Sequence, residues 1–162
     1  MYTELHAASA FSFLDGASTP EALVQRAADL GYPALALLDR DGLYGAPRFH
    51  LAAKKAGLRA IVGAELTVRS GGANGAASPH PPRLWRLPVL VASREGYRRL
   101  CRLITRMKLR AGKGEGVLTL DDLEGETSGL VALVGRAALD TDHYGVGGLL
   151  DRMLGLFCAG NV

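Results

Sequence analysis

His6, Asp15, Asp39, Arg40, Asp41 and Glu65 are the residues of this 162-residue chain whose types and positions could do chemistry together. Histidine, aspartate and glutamate on converging loops are the raw material of a divalent-metal phosphoesterase, the ion held by nitrogen and oxygen lone pairs. Each residue also has a plain structural reading. Asp15-Gly16 and Asp41-Gly42 read as turns, Asp39 as a helix cap, and His6 as a satisfied inward residue. Spacing alone leaves both readings open.

What joins these residues is their place at, or just beyond, the ends of predicted strands. Tyr2-Thr3-Glu4-Leu5-His6 reads as a first strand, and Asp15 falls in the loop after it. A helix is expected from Pro20 to Leu30, because Thr19 can cap it, Pro20 fits its first position and Gly31 stops it. The apolar run Ala34 to Leu38 reads as a strand covered on both faces, and Asp39, Arg40 and Asp41 follow it directly. Gly45 to Ala56 reads as the next helix, and Arg59 to Val68 as a third strand with Glu65 late in it. Strand, helix, strand, helix, strand is the rhythm of a parallel α/β fold. In barrels of parallel strands, side chains at these ends converge on one face.

Further along, Ser70 to Pro82 is dominated by Gly, Ala, Ser, Asn and Pro and reads as a flexible loop. Val89 to Ala92 reads as a strand, and Ser93 as the cap of a long helix, Arg94 to Ala111. Its expected apolar stripe is Tyr97, Leu100, Cys101, Ile104 and Met107 or Lys108. Thr119 can cap a short turn through Asp121-Asp122-Leu123. Gly129 to Gly135 reads as a fifth strand, and Gly148 to Leu156 as a last helix.

Composition narrows the classes. At 48% hydrophobic residues the chain has material for a core, which argues against general disorder. Nineteen Lys and Arg against sixteen Asp and Glu leave +3, too little to identify a nucleic-acid binder. Cys101 and Cys158 form neither a disulfide framework nor zinc-finger spacing. No apolar run approaches the roughly 18 residues of a membrane span, and Glu4 and His6 interrupt any signal-peptide core. A cytoplasmic protein with no membrane partner is expected.

The motifs are familiar. Glu4 to Ser18 (ELHAASAFSFLDGAS) closely resembles the opening of the polymerase and histidinol phosphatase (PHP) domain in bacterial C-family DNA polymerases. Leu35 to Gly45 (LALLDRDGLYG) resembles that family's second motif, and Ala53 to Leu58 with Val62 to Leu66 its third. Glu95 to Thr105 resembles the helix that follows in DNA polymerase III alpha subunits. The wording DGLYG with GAELT is most similar to the error-prone alpha-type branch. The resemblance implies a partial (β/α) barrel of the PHP type, a distorted TIM-like α/β fold with about five βα units. It implies one PHP domain over 1–162, incomplete at its C-terminus, with the rest of a polymerase as its partner.

The same resemblance implies a damaged metal site. Metal-binding members end their first strand in His-x-His; here His6 is followed by Ala8 in the second position. The family's Asp-His is Asp39-Arg40, and where a further histidine is expected the chain has Leu87. Three ligands remain: His6, Asp15 and Glu65. Two unit charges 4 Å apart interact by about 4 kcal/mol at an effective dielectric of 20, so Arg40 against a divalent ion is opposed by roughly twice that. The expectation is a vestigial cleft of His6, Asp15, Asp39, Arg40 and Glu65, with no catalytic residue and no metal, the guanidinium pairing with Asp15 or Glu65. Zinc or manganese is expected only if the site is live.

Arg98, Arg102, Arg106 and Arg110 recur every fourth residue within a segment, 94–113, that holds eight basic residues and one acid. Such a stripe suits sequence-independent, salt-sensitive phosphate binding; a solvated face, or one paired with acidic surface, is the plain alternative. Three functional readings follow. The chain is the PHP region of an error-prone polymerase subunit in DNA replication and translesion repair, serving as scaffold and interaction surface. Alternatively it is a live metal-dependent phosphoesterase or 3'-5' exonuclease, or a stand-alone phosphatase.

Overall fold

A computed structural model describes residues 2–69, 83–112, 114–135, 145–158 and 160–162. The expected loop at 70–82 lies outside the described residues, as do His80, Lys113 and His143. The chain divides into two compact units, Met1–Glu65 and Leu66–Val162.

In the first unit the elements are β1 (Glu4–Ala7), α1 (Pro20–Asp29), β2 (Ala34–Arg40), α2 (Ala46–Ala56) and the start of β3 (Arg59–Arg69). β1, β2 and β3 lie side by side in that order, all parallel. Helix α1 begins where the sequence says it should: the Thr19 hydroxyl accepts from the Ala22 N–H at 3.3 Å, with Pro20 at the first position. Helix α2 ends at Gly57, whose φ of 70° is the left-handed stop that glycine adopts freely.

The faces of these strands decide what the site contains. Leu35 and Leu37 of β2 pack with Val24 and Ala27 of α1, Phe49 and Ala53 of α2, and Leu58, while Ala7, Ala60 and Val62 lean on the same cluster. Successive side chains on a strand point to opposite faces. His6, next to Ala7, therefore belongs to the other face. So does Arg40, which continues Ala36 and Leu38, and so does Glu65, in register with Arg40 on the neighbouring strand. Asp39, continuing Leu35 and Leu37, lies on the helix-covered face.

In the second unit the rest of β3 is followed by β4 (Leu84–Val91), α3 (Arg94–Leu109), β5 (Leu118–Thr119), a 3-10 turn (Asp121–Leu123), β6 (Leu130–Ala132) and α4 (Gly145–Phe157). Strand order here is β3-β4-β6, with the two-residue β5 parallel beside β3. β4 starts at Leu84 rather than Val89, and α4 extends the expected last helix at both ends. The expected fifth strand shrinks to β6 and departs from a uniformly parallel arrangement, because it pairs antiparallel with β4, Val91 opposite Leu130. The cause is local. The Gly129 carbonyl accepts from the Ala92 N–H at 2.9 Å, and a Cβ on Gly96 would collide with that same carbonyl. The chain therefore enters β6 from beside the start of α3, which is the finishing end of β4, and must run back along it.

That close approach also turns α3. Its buried residues are Gly96, Leu100, Leu103 and Met107, not the expected stripe through Tyr97 and Ile104; Tyr97 is exposed. A glycine at the first contact lets the helix come in on its smallest residue, and the stripe rotates to include it.

Candidate functional site

At the strand ends of the first unit two ion pairs gather the polar groups, apart from the pair of Arg48 with Glu21 that joins α2 to α1. His6 Nε2 lies 3.0 Å from Glu65 Oε1, joining the first strand to the third. This hydrogen bond raises the His6 pKa above its ordinary 6.5; partial burial works against it, and the charges of Glu65 and Glu4 add to the rise. Glu4 in turn accepts from the Tyr2 hydroxyl at 2.6 Å and the His6 N–H at 2.8 Å, which lower its own pKa. The second pair is Arg40 Nη2 with Asp15 Oδ2. Arg40 also reaches the Phe13 carbonyl at 3.4 Å, so its guanidinium closes over the loop after β1.

Asp39 does something different. It is 2% exposed, and its carboxylate accepts from the Ser9 N–H (2.9 Å), the Ser9 hydroxyl (2.8 Å), the Ser12 hydroxyl (2.9 Å) and the Gly45 N–H (3.1 Å). One buried carboxylate thus fastens the loop after β1 and the start of α2 to the end of β2. Ser12 extends the bracket by accepting from the Arg40 N–H at 3.0 Å. Asp15-Gly16 is the turn the sequence suggested: both N–H groups reach the Ser12 carbonyl at 2.9 Å, and Gly16 lies too close to the Ser9 carbonyl for any Cβ. Asp41, at φ 49°, turns its N–H onto the Glu65 carbonyl at 2.9 Å. Ser9 and Ser12 escaped the sequence reading because a serine in a loop carries no spacing signal of its own.

This donor set does not fit a divalent ion. His6 Nε2 faces a carboxylate rather than an open position, Asp15 carries a guanidinium, and Asp39 is committed to four protein donors on the opposite strand face. A permanent cation between the remaining ligands opposes a second one. Among the described residues no group of three His, Cys, Asp or Glu could hold a metal.

The basic stripe lies in the second unit, where it meets an acidic turn. Glu126, only 14% exposed at its side chain, has Arg106 Nη2 at 3.1 Å, Arg99 Nη1 at 3.8 Å and Arg102 Nη1 at 3.9 Å. Arg110 pairs with Asp122, and Arg99 donates to the Gly125 carbonyl. Burial alone would raise Asp122, but hydrogen bonds from the Thr119 backbone and Arg110 bring its pKa below the ordinary carboxylate value. Arg98 is aside from this arrangement, 3.5 Å from Glu95 on its own helix. Arg99 was missed by a reading based on steps of four, although its position four residues after Glu95 was a signal.

Parallel strands carrying charged side chains at their ends, under helices α1 and α2, define the class of the first unit as α/β. The PHP domain family matches residues 4–161, and the chain belongs to that family. An error-prone DNA polymerase of Mycolicibacterium paratuberculosis is 50% identical over 123 residues, 75% of this chain and 11% of that protein. The error-prone DNA polymerase of Anaeromyxobacter sp. (strain K) is 54% identical over 115 residues, 71% of this chain and 9% of that protein. The chain spans about a tenth of the length of the curated relatives it matches. Among solved structures, an amidohydrolase from Chromobacterium violaceum, with bound sulfate and no metal, is similar at 27% identity and a TM-score of 0.50, over 65% of this chain and 32% of that one. No helix among the described residues is long and apolar enough to cross a membrane.

Proposed function

We propose that this PHP domain is the N-terminal region of an error-prone DNA polymerase III alpha-type subunit, working in the cytoplasm in replication and translesion repair synthesis. Its role there is structural and interactive, and its partners are the remaining domains of that polymerase. The cleft of His6, Asp15, Arg40 and Glu65 is vestigial in this reading: with Asp39 on the strand face behind it, it holds loops and strands together by ion pairs and hydrogen bonds instead of holding zinc or manganese. The observation that carries the proposal is the Arg40 guanidinium on Asp15, on the strand face shared with His6 and Glu65. Identity of about 50% to error-prone polymerases supports the choice of parent.

Metal content tests it. After incubation with zinc or manganese and desalting, elemental analysis of the chain should find well under one ion per molecule. The double variant Ala8→His, Arg40→His removes the fixed cation and restores two imidazoles, and it should retain zinc. Stoichiometric metal in the unaltered chain would end the vestigial reading and favour the phosphoesterase alternative.

A further inference from the structure

Helix α3 carries a surface suited to a phosphate backbone, and an acidic segment of the same chain pairs with its guanidinium groups. At 100° per residue, Arg99, Arg102, Arg106 and Arg110 fall within roughly an 80° arc of the helix. All four are engaged by one short segment, residues 122–126. Arg99 meets the Gly125 carbonyl and Glu126, Arg102 meets Glu126, Arg106 meets the Asp122 carbonyl at 3.4 Å and Glu126 at 3.1 Å, and Arg110 meets the Asp122 carboxylate. Carboxylates and carbonyl oxygens spaced along an extended turn are what the oxygens of a nucleic-acid strand would offer the same guanidinium groups.

The segment is held from its other side as well. Arg152 of α4 donates to Asp121 Oδ1 at 2.5 Å and to Glu124 Oε1 at 3.2 Å. Within the turn, the Thr119 N–H and hydroxyl reach Asp122 Oδ2 at 3.0 and 3.1 Å. Arg98, beside that arc, is the most exposed of these arginines at 69%, against 55% for Arg102 and 56% for Arg110.

We infer that α3 is a latent nucleic-acid surface, masked by the acidic turn 121–126, and that a strand of DNA binds by displacing that turn. Arg98 makes first contact at the open edge. The inference is independent of the metal-free reading of the cleft, since it uses only residues of the second unit.

The test is fluorescence anisotropy with a labelled 20-nucleotide single-stranded DNA, using the full chain at low and moderate salt. The double variant Asp122→Asn, Glu126→Gln should bind about tenfold or more tightly than the unaltered chain at low salt. The variant frees Arg106 and Arg110 of Glu126 and Asp122, while Arg99 and Arg102 keep Glu95 at 3.1 and 3.5 Å, so log K against log salt should steepen by about 1 to 2. Equal affinity and equal slope, in a variant that keeps its circular dichroism and cooperative melting, overturn the inference. If the double variant does not fold, Asp122→Asn alone decides. Its amide oxygen can still accept from Thr119 while the pairing with Arg110 is weakened. Binding about threefold tighter supports the mask, and unchanged binding removes it.

Discussion

Two regions of this protein use arginine against carboxylate, and they do so differently. In the cleft of the first unit Arg40 pairs with Asp15, with both side chains substantially exposed at 31% and 42%. In the second unit a single largely buried carboxylate, Glu126, is shared by three arginines, Arg106 at hydrogen-bond distance and Arg99 and Arg102 at 3.8 and 3.9 Å. An exposed pair contributes little to stability, because water and salt screen it; a sequestered carboxylate surrounded by donors leaves much more behind when it is removed. The cleft's rigidity therefore does not come from Arg40. It comes from Asp39, buried behind the pair and bonded to two loops at once. The contrast separates what holds the fold from what sets its charge.

Substitution of Asp39 should produce the largest effect. Asp39→Ala strands the Ser9 and Gly45 N–H groups and two hydroxyls, and should lower stability by about 3–5 kcal/mol. Urea unfolding measures this, and a loss below about 1 kcal/mol would mean the loop after β1 is held by something else. The comparison between the two arginine sites comes next. Glu126→Gln should be destabilising by about 1–3 kcal/mol, whereas Arg40→Gln should change stability by less than about 1 kcal/mol. Equal losses at the two sites would erase the distinction drawn between them.

Much of this was legible in the sequence, for reasons that differ by element. Helix α1 announced itself through Thr19, Pro20 and Gly31, which act locally and need no partner. Strand β2 was visible as an unbroken apolar run, and its burial follows from that. The cleft residues were found by type, but the pleat distributes them, and alternation along β2 put Asp39 on the face opposite Arg40. The antiparallel β6 was hidden because its direction depends on Gly129 meeting Gly96, a contact between residues far apart in the chain. β5 is too short, at two residues, to show any period. The acidic turn was read only as a capped turn. That it answers the arginines of α3 is a matter of tertiary placement, which spacing within the helix does not encode.

The smallest expected effect distinguishes the two ion pairs of the cleft from each other. An arginine guanidinium stays charged at any pH a folded protein tolerates, so an arginine pair has no neutral-pH switch on its basic side. His6 can lose its proton near neutrality. Its pKa is raised in the folded chain by the hydrogen bond to Glu65, so the contribution of this pair is fully present below the ordinary histidine value of 6.5 and disappears as pH rises through the higher folded value. Because His6 is 45% exposed, screening keeps that contribution small. An NMR titration of the His6 ring, assigned by comparison with His6→Gln, should give a midpoint above 6.5, and Glu65→Gln should bring it down. The stability gap between the unaltered chain and Glu65→Gln should likewise be wider at pH 6 than at pH 8. A midpoint at or below 6.5, unmoved by Glu65→Gln, would show that the imidazole and the carboxylate do not share a proton-dependent bond. Their shared face would then rest on strand register alone.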